Sequence, residues 1–279
     1  MRIVIFFILI INSLSAFGLS LGQGHFENNW TPECVSGKKR FSGYSEGILK
    51  VDHSYMSSDE LVHVLSKSKA SFDLFLFGAD GLMTINSVIR KGKKHWYFVS
   101  EFEISQKTEV LDLPSWTSFG LEVLRLNDSE VFKSLCGDEF VGQLTRKKRI
   151  YAVFQYNFAV AQSKTDVTAK IKVKTFFGSI TETHRTTVET GTPLESIKVF
   201  FIGEGIDLSP IMSDVTESMN LCGETNIEFC DQAGLLFIKI IRNPQFINSL
   251  ADTPGVPSDF VFYDYSVLRP LNVENKNGN

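Results

Sequence analysis

The run CGDEFVGQLTRKKRIYAVFQYNF, residues 136–158, constrains the fold more than any other part of the sequence. Its second half, continued to residue 161 as RIYAVFQYNFAVA, is typical of a long β-strand. Four consecutive bases, Arg146 to Arg149, stand where that strand begins. Because like charges this close repel one another, acids or anionic ligands have to face them. The sequence therefore predicts a sheet protein with a basic cluster at the start of a long strand.

The N-terminal residues, MRIVIFFILIINSLSAFGLS, have the order of a secretory signal peptide. Arg2 supplies the positive charge, residues 3–11 are apolar, and small residues follow. The apolar run is shorter than the roughly 20 residues that a membrane-spanning helix needs. We expect cleavage after Ser15 or Gly18, so residues 1–18 are assigned to a signal peptide and the chain to the secreted class. The alternative is an uncleaved anchor.

Four cysteines are present, Cys34, Cys136, Cys222 and Cys230. An even number in an exported chain indicates disulfides. Cys222 and Cys230 flank a short loop and are the preferred pair, which leaves Cys34 with Cys136, although four cysteines allow three connectivities. A zinc site is not expected, because there is no CxxC motif and the five histidines are scattered.

Hydrophobic periodicity divides the rest of the chain into helices and strands with no linker between domains. Helices are predicted for residues 58–68, 128–141, 208–221 and 231–252, with a partial strand as the alternative for the last segment. Strands are predicted within residues 70–104, 149–161, 165–190, 195–203 and 259–271. Irregular structure is predicted for residues 19–58 and 112–126. Together these elements predict one α+β domain over residues 19–271 and a flexible tail, residues 272–279.

The sequence carries no recognisable catalytic or cofactor motif. GxSxG, HExxH and a glycine-rich phosphate loop are all missing. A formal net charge of -4 argues against a general attraction to nucleic acid. We therefore expect a protein that is not an enzyme and that has no cofactor, no metal and no nucleic-acid partner. An exported enzyme of unrecognised chemistry is the weakest of the alternatives.

The run from Cys136 resembles the central signature of the membrane-attack-complex/perforin (MACPF) superfamily. That signature is an aromatic residue, Gly, Ser or Thr, His, an aromatic residue, six free residues and a Gly pair. Its first five positions are occupied here by Cys136, Gly137, Asp138, Glu139 and Phe140, of which Gly137 and Phe140 match. Lys147 and Lys148 stand where the Gly pair belongs. The CGD-x-FV opening is closest to bacterial-type members of the superfamily.

Three further pieces resemble the same superfamily and occur in the same order. LGQG, residues 21–24, resembles its N-terminal glycine motif. SIKVFFIGEG, residues 196–205, resembles the strand that follows the first membrane-inserting segment. DFVFYDYS, residues 259–266, resembles the closing strand and its tyrosine. The resemblance therefore extends over most of the chain that follows the signal peptide.

The resemblance implies an α+β fold with a bent, twisted, four-stranded antiparallel central sheet. Helical clusters flank that sheet in the family and unfurl into transmembrane hairpins. The implied function is that of a secreted, perforin-like protein or pore-forming toxin that binds membrane lipid or a cell-surface receptor and assembles into a homo-oligomer. The alternative on the same fold is a non-lytic binding or adhesion module.

The candidate for membrane insertion is the segment that follows the long strand. Residues 167–176 are long enough for a membrane strand, with apolar side chains on one face and lysines on the other. The return, residues 179–188, has charge on both faces, which costs about 2–4 kcal/mol at the bilayer midplane. A solvent-facing hairpin is therefore at least as well supported. The candidates for contact with lipid in this segment are Ile171, Val173, Phe176 and Phe177.

The basic cluster is the candidate for contact with anionic head groups. Its members are Arg146, Lys147, Lys148 and Arg149. We expect Glu182, Glu189 and Glu195 to face these bases in the soluble state and anionic lipid to compete for them. Two other basic clusters, residues 38–40 and 90–94, are read either as solvated turns or as contacts to anionic lipid or glycans.

Overall fold

The computed structural model describes residues 20–26, 29–42, 50–67, 75–78, 81–83, 89–177, 182–209, 219–223, 225–251 and 255–268. The strands are β1 Gln23–Phe26, β2 Asn29–Glu33, β3 Val35–Ser42, β4 Lys50–Ser57, β5 Phe75–Gly78, β6 Gly81–Met83, β7 His95–Trp116, β8 Glu139–Phe158, β9 Ile171–Phe177, β10 Glu182–Val188, β11 Leu194–Glu204 and β12 Val256–Asp264. The helices are α1 Ser58–Lys67, α2 Ser118–Arg125, α3 Ser129–Cys136, α4 Lys164–Lys170, α5 Ile227–Ile241 and α6 Pro244–Ala251, and a 3-10 turn follows at Tyr265–Val267. The predicted signal peptide, the tail and most of the predicted helix 208–221 lie outside the described residues.

The class of the fold is confirmed as α+β, with a large antiparallel sheet and several helices. Ten of the described strands are linked by hydrogen bonds into one network, and β9 pairs with β10 in a separate two-stranded sheet. The network is larger than the four-stranded sheet that the family resemblance implies. None of the helices in the described ranges has the length and hydropathy needed to cross a membrane.

Contacts divide the chain into two compact units. Unit 1 contains Met1–Ser45, Lys107–Arg146 and Pro257–Asn279, and unit 2 contains Glu46–Gln106 and Lys147–Val256. The long strands β7 and β8 therefore contribute their residues to both units. The prediction of a single domain over residues 19–271 stays a prediction.

In unit 2 the sheet is covered on both faces. The strand order is β4–β7–β8–β11–β5–β6, and each neighbouring pair whose register is defined is antiparallel. Side chains on one face, including Tyr97 and Tyr151, pack with α1 through Leu61. The opposite face, including Phe154, packs with α5 and with the β9–β10 hairpin. This second face holds the larger apolar core of the unit.

In unit 1 the N-terminal strands pair with the long strands. β1 pairs with β2 and with the start of β8, β3 pairs with the end of β7, and β12 pairs with β8. Residues 19–58, predicted to be irregular, thus carry β1 to β4. Apolar and polar residues do not alternate in β3, because every side chain after Val35 is exposed. Only the pairing of its backbone with β7 identifies β3 as a strand.

The prediction of an irregular link at residues 112–126 is wrong. β7 continues to Trp116 and α2 follows, capped by the Thr117 side chain, which accepts a hydrogen bond from the backbone N–H of Gly120. The pairing of β3 with β7 shifts register between Ser36 and Lys38, opposite Pro114. A bulge is one of the few places where a strand tolerates proline. This bulge explains why the sequence looks like a loop there.

Candidate functional site

The signature residues meet the N-terminal glycine motif in unit 1. β1 pairs with the start of β8, with Gly24 opposite Phe140 and His25 opposite Glu139. A Cβ atom at residue 24 would lie 1.7 Å from the carbonyl oxygen of Cys136, so no larger residue fits there. Gly137 has φ of 88°, a conformation that favours glycine. The close approach of these two segments thus depends on both glycines.

A disulfide and a hydrogen bond from a tyrosine also stabilise the chain at Cys136. Cys34 and Cys136 are disulfide-bonded, with Cα atoms 5.5 Å apart, as preferred from the sequence. The Tyr265 hydroxyl donates a hydrogen bond to the carbonyl oxygen of Cys136. Its ring stacks on Trp116 with centroids 5.3 Å apart. Burial, reinforced by the charge of Asp138, raises the pKa of Tyr265, so the phenol stays protonated and able to donate.

These contacts define the motif corner, which consists of Gly24, the Cys34–Cys136 disulfide, Gly137, Phe140 and Tyr265. Phe140 is fully buried, whereas Asp138 is exposed and lies 3.5 Å from the ammonium of Lys133. Three pieces that are far apart in the sequence, LGQG, CGDEF and DFVFYDYS, therefore pack against one another.

The first base of the cluster, Arg146, belongs to unit 1 and is ion-paired. Its Nε lies 2.8 Å from Glu109 Oε1, and Lys39 Nζ lies 3.7 Å from the other oxygen of the same carboxylate. Beside it the hydroxyls of Thr108 and Thr145 are hydrogen-bonded at 2.7 Å. One acid on β7 therefore neutralises bases from two strands.

Two more bases belong to unit 2 and face acids of the neighbouring strands. Lys147 Nζ lies 3.2 Å from Glu103, and Arg149 pairs with Glu103 at 3.0 Å, Glu204 at 3.2 Å and Glu101 at 3.4 Å. Burial opposes the charge on Arg149, but the carboxylates of Glu204 and Glu103 outweigh burial and raise the pKa of the guanidinium. We call these five residues the charge ladder.

Two of the acids expected from the sequence, Glu189 and Glu195, are exposed and form none of the described ion pairs with these bases. Glu182 lies in β10, and nothing is described of its side chain. The described partners of the bases are Glu101, Glu103, Glu109 and Glu204. A signal for two of them was present, because Glu101 and Glu103 are two residues apart and so share one face of a strand.

Lys148 points to the opposite face of β8 and is completely buried. Its ammonium donates a hydrogen bond to the carbonyl oxygen of Leu250, in the last turn of α6. A cation at the C-terminus of a helix is favourable because the final carbonyls carry partial negative charge. A lipid head group can reach Lys148 only if this arrangement changes.

Close backbone approach does occur at the position where the family has its Gly pair. A Cβ atom at residue 255 would lie 2.7 Å from the carbonyl oxygen of Lys147 and 2.9 Å from Gln106 Oε1. The backbone N–H of Gly255 also donates to Gln106 Oε1 at 2.6 Å. The glycine that allows the approach thus lies on the segment that faces β8.

The candidate insertion segment is docked on the core of unit 2. Residues 164–170 form α4 rather than a strand, capped by Ser163, and β9 begins at Ile171. Ile171 is fully buried and Val173 is partly buried, whereas Lys172 and Lys174 are exposed. The predicted alternation in β9 is therefore confirmed for these four residues. Phe176 and Phe177 lie in β9, and nothing is described of their side chains.

The return strand β10 is held by a buried histidine. His184 stacks on Phe154 with ring centroids 4.6 Å apart. On its other side lies α5, where a Cβ atom at residue 234 would come within 2.7 Å of the imidazole and where the Asp231 carboxylate lies 4.0 Å from Nε2. Burial, with the charge of His53, lowers the pKa of His184 to about 4. The backbone N–H of Thr186 donates to Asp231 at 2.7 Å.

The second disulfide joins Cys222 and Cys230 in unit 2, as preferred from the sequence. Two disulfides are typical of an oxidising, extracellular-type environment. In the described part of the chain, no group of three or more His, Cys, Asp or Glu side chains could hold a metal ion. The charged side chains around Arg146 to Arg149 are instead used in internal ion pairs.

Comparison of this chain with protein-family models, with curated proteins and with solved structures found no match.

Proposed function

We propose that this chain is a secreted, perforin-like protein that acts at membranes and assembles into a homo-oligomer there. The observation that carries the proposal is the motif corner. Segments that resemble the family at three distant places in the sequence make direct contact with one another. Chance similarities between short stretches give no reason for the same stretches to meet in space.

The position of the β9–β10 hairpin also supports the proposal. β8 and β11 are adjacent antiparallel strands, and residues 159–193 form an excursion between them. Such an excursion can extend two paired strands without breaking their register. Two membrane strands need about 9–11 residues each, which this segment contains. The two disulfides are consistent with export.

A second candidate, a non-lytic binding module on the same fold, is favoured by the composition of β10. Glu182, His184 and Arg185 would enter the bilayer if this strand inserted. An arginine at the midplane costs about 2–4 kcal/mol, and an acidic side chain adds a smaller cost. Binding to a lipid surface or a receptor requires none of these residues to enter the bilayer core.

Vesicle flotation combined with dye release tests the proposal. The exported protein is mixed with vesicles of phosphatidylcholine, with and without phosphatidylserine, at low and high salt. We expect flotation with anionic vesicles and weak dye release. Strong release would favour the lytic candidate, and flotation without any release would favour the binding module. If the protein floats with none of these vesicle compositions, the proposal of membrane action is overturned.

A further inference from the structure

The turn at residues 90–94 carries four bases that form none of the ion pairs in the described part of the chain. Arg90, Lys91, Lys93 and Lys94 are all exposed. Among the described residues, no carboxylate lies within ion-pair distance of any of the four. The bases of the signature differ, because Arg146, Lys147 and Arg149 are only 18–20% exposed and all three are ion-paired.

Hydrogen bonds attach this basic turn to its neighbours in unit 2. The Tyr97 hydroxyl accepts from the backbone N–H of Arg90 at 2.9 Å and donates to its carbonyl at 3.0 Å. The N–H of Gly92 donates to Ser58 Oγ at 3.4 Å, and the turn closes with His95 N–H donating to the carbonyl of Gly92 at 3.1 Å. The exposed bases therefore project from a backbone that is hydrogen-bonded on both sides of Gly92.

An apolar loop lies directly beside the basic turn. The backbone N–H groups of Phe158 and Gln162 donate to the carbonyls of Lys94 and Lys93, each at 2.9 Å. Between these two anchors, residues 159–161 are exposed, and Val160 is 54% exposed. The Trp96 indole N–H donates to the carbonyl of Gln162 at 3.2 Å, which fixes the far end of the loop.

We propose that this basic pole, consisting of residues 90–94 and 159–161, docks the protein on an anionic lipid bilayer. The inference rests on the proposed membrane function and names the surface that carries it. Unpaired bases attract anionic head groups, and an exposed apolar tip beside them enters the boundary between head groups and acyl chains. Glu60, near Ser58 at the start of α1, forms its described ion pair with Lys164 and not with a base of the turn.

The test measures binding isotherms of the exported chain on phosphatidylcholine vesicles with and without phosphatidylserine. The variant is Lys91→Gln, Lys93→Gln, Lys94→Gln, and the control is Lys107→Gln, Arg125→Gln, Lys239→Gln. The control removes the same charge from exposed bases that belong to none of the three basic clusters. We expect about a hundredfold loss of affinity for anionic vesicles in the variant and less than about threefold in the control.

The apolar tip has its own pair of variants. Val160→Ser should weaken binding by about fivefold, whereas Val261→Ser, at a position 47% exposed in unit 1, should leave binding unchanged. Thermal unfolding verifies that all variants fold.

The outcomes distinguish the proposed docking surface from the proposed membrane function. If the unmodified chain binds anionic vesicles and the triple Gln variant binds equally well, the basic pole is overturned and the membrane function stands. If the unmodified chain binds no vesicle, both are overturned. Binding to immobilised heparin without binding to anionic vesicles would assign the pole to an anionic glycan and overturn the lipid assignment.

Discussion

Lys147 and Lys148 are neighbours in the sequence, yet their surroundings differ because they point to opposite faces of β8. Lys147 shares Glu103 with Arg149 near the surface of unit 2, while Lys148 is buried and donates to the end of α6. Because Lys148 is buried, the loss of its side chain should destabilise the protein far more than the loss of the Lys147 side chain.

Lys148→Ala should destabilise the protein by at least about 2 kcal/mol, because it leaves a cavity and removes a buried donor from a helix terminus. Lys147→Ala should cost about 1 kcal/mol or less, since Glu103 keeps its contact with Arg149. Urea unfolding of both variants measures the difference. Equal costs would contradict the assignment of Lys148 to the interior.

The lowered pKa of His184 predicts how the free energy of unfolding depends on pH. Its pKa is about 4 in the folded protein and near 6.5 in the unfolded chain, so between these values only the unfolded chain binds the proton. Stability therefore falls as the pH is lowered through this range. His53 acts in the same direction because burial also lowers its pKa. Asp231 acts in the opposite direction, because burial raises its pKa and the folded state takes up its proton first.

His184→Phe isolates the contribution of one group, because His53 and Asp231 remain in both proteins. The unmodified chain should lose about 2 kcal/mol more stability than the variant between pH 7 and pH 5. Urea unfolding at several pH values measures this difference. His63→Gln, at an exposed position in α1, is the matched control and should follow the unmodified chain. Parallel pH profiles for His184→Phe and the unmodified chain would contradict the burial of the imidazole.

At the scale of elements, the sequence predicted the helices and strands that have one buried face. It missed strands that are defined by backbone pairing alone. α1, α3 and β11 have the expected periodicity. β3 was missed because its side chains are exposed, and the end of β7 because a bulge accommodates Pro114. α4 was missed because residues 167–173 alternate as a strand would, while the Ser163 capping box starts a helix first.

The β9–β10 hairpin is held by the fit of His184 against Gly234. Gly234→Ala would place a methyl group within 2.7 Å of the imidazole, so the hairpin has to move away from α5. We expect a loss of about 1–3 kcal/mol and faster hydrogen exchange in β10. Gly223→Ala is the control, because a Cβ atom at residue 223 has no neighbour within 4 Å. Unchanged exchange in β10 would show that the hairpin does not depend on this contact.

At the scale of the whole molecule, the two disulfides close chain segments of very different length. Cys34 and Cys136 are separated by 102 residues, and Cys222 and Cys230 by 8. Removing the first by double alanine substitution should cost about 4–5 kcal/mol, and removing the second about 2–3 kcal/mol, because a longer loop constrains the unfolded chain more. Urea unfolding of the two double variants tests this order, and the reverse order would contradict it.

The sequence was informative about the site wherever residue identity alone carries the information. Gly137 was singled out because it matches the family signature, and the cysteine pairs because of their even number and spacing; the structure has a φ of 88° at Gly137 and a disulfide in each pair. The partners of the bases could not be singled out, because they depend on which strands are neighbours. Glu204, for example, reaches Arg149 only because β11 pairs with β8.

Hydrogen–deuterium exchange of the protein, free and with vesicles, tests the proposed membrane action most directly. With anionic vesicles we predict slower exchange at residues 89–95 and 158–162, which contain the basic turn and the apolar loop. Neutral vesicles should leave both segments unchanged, because the bases supply most of the attraction. Exchange that is identical throughout the chain with and without anionic vesicles would contradict the account.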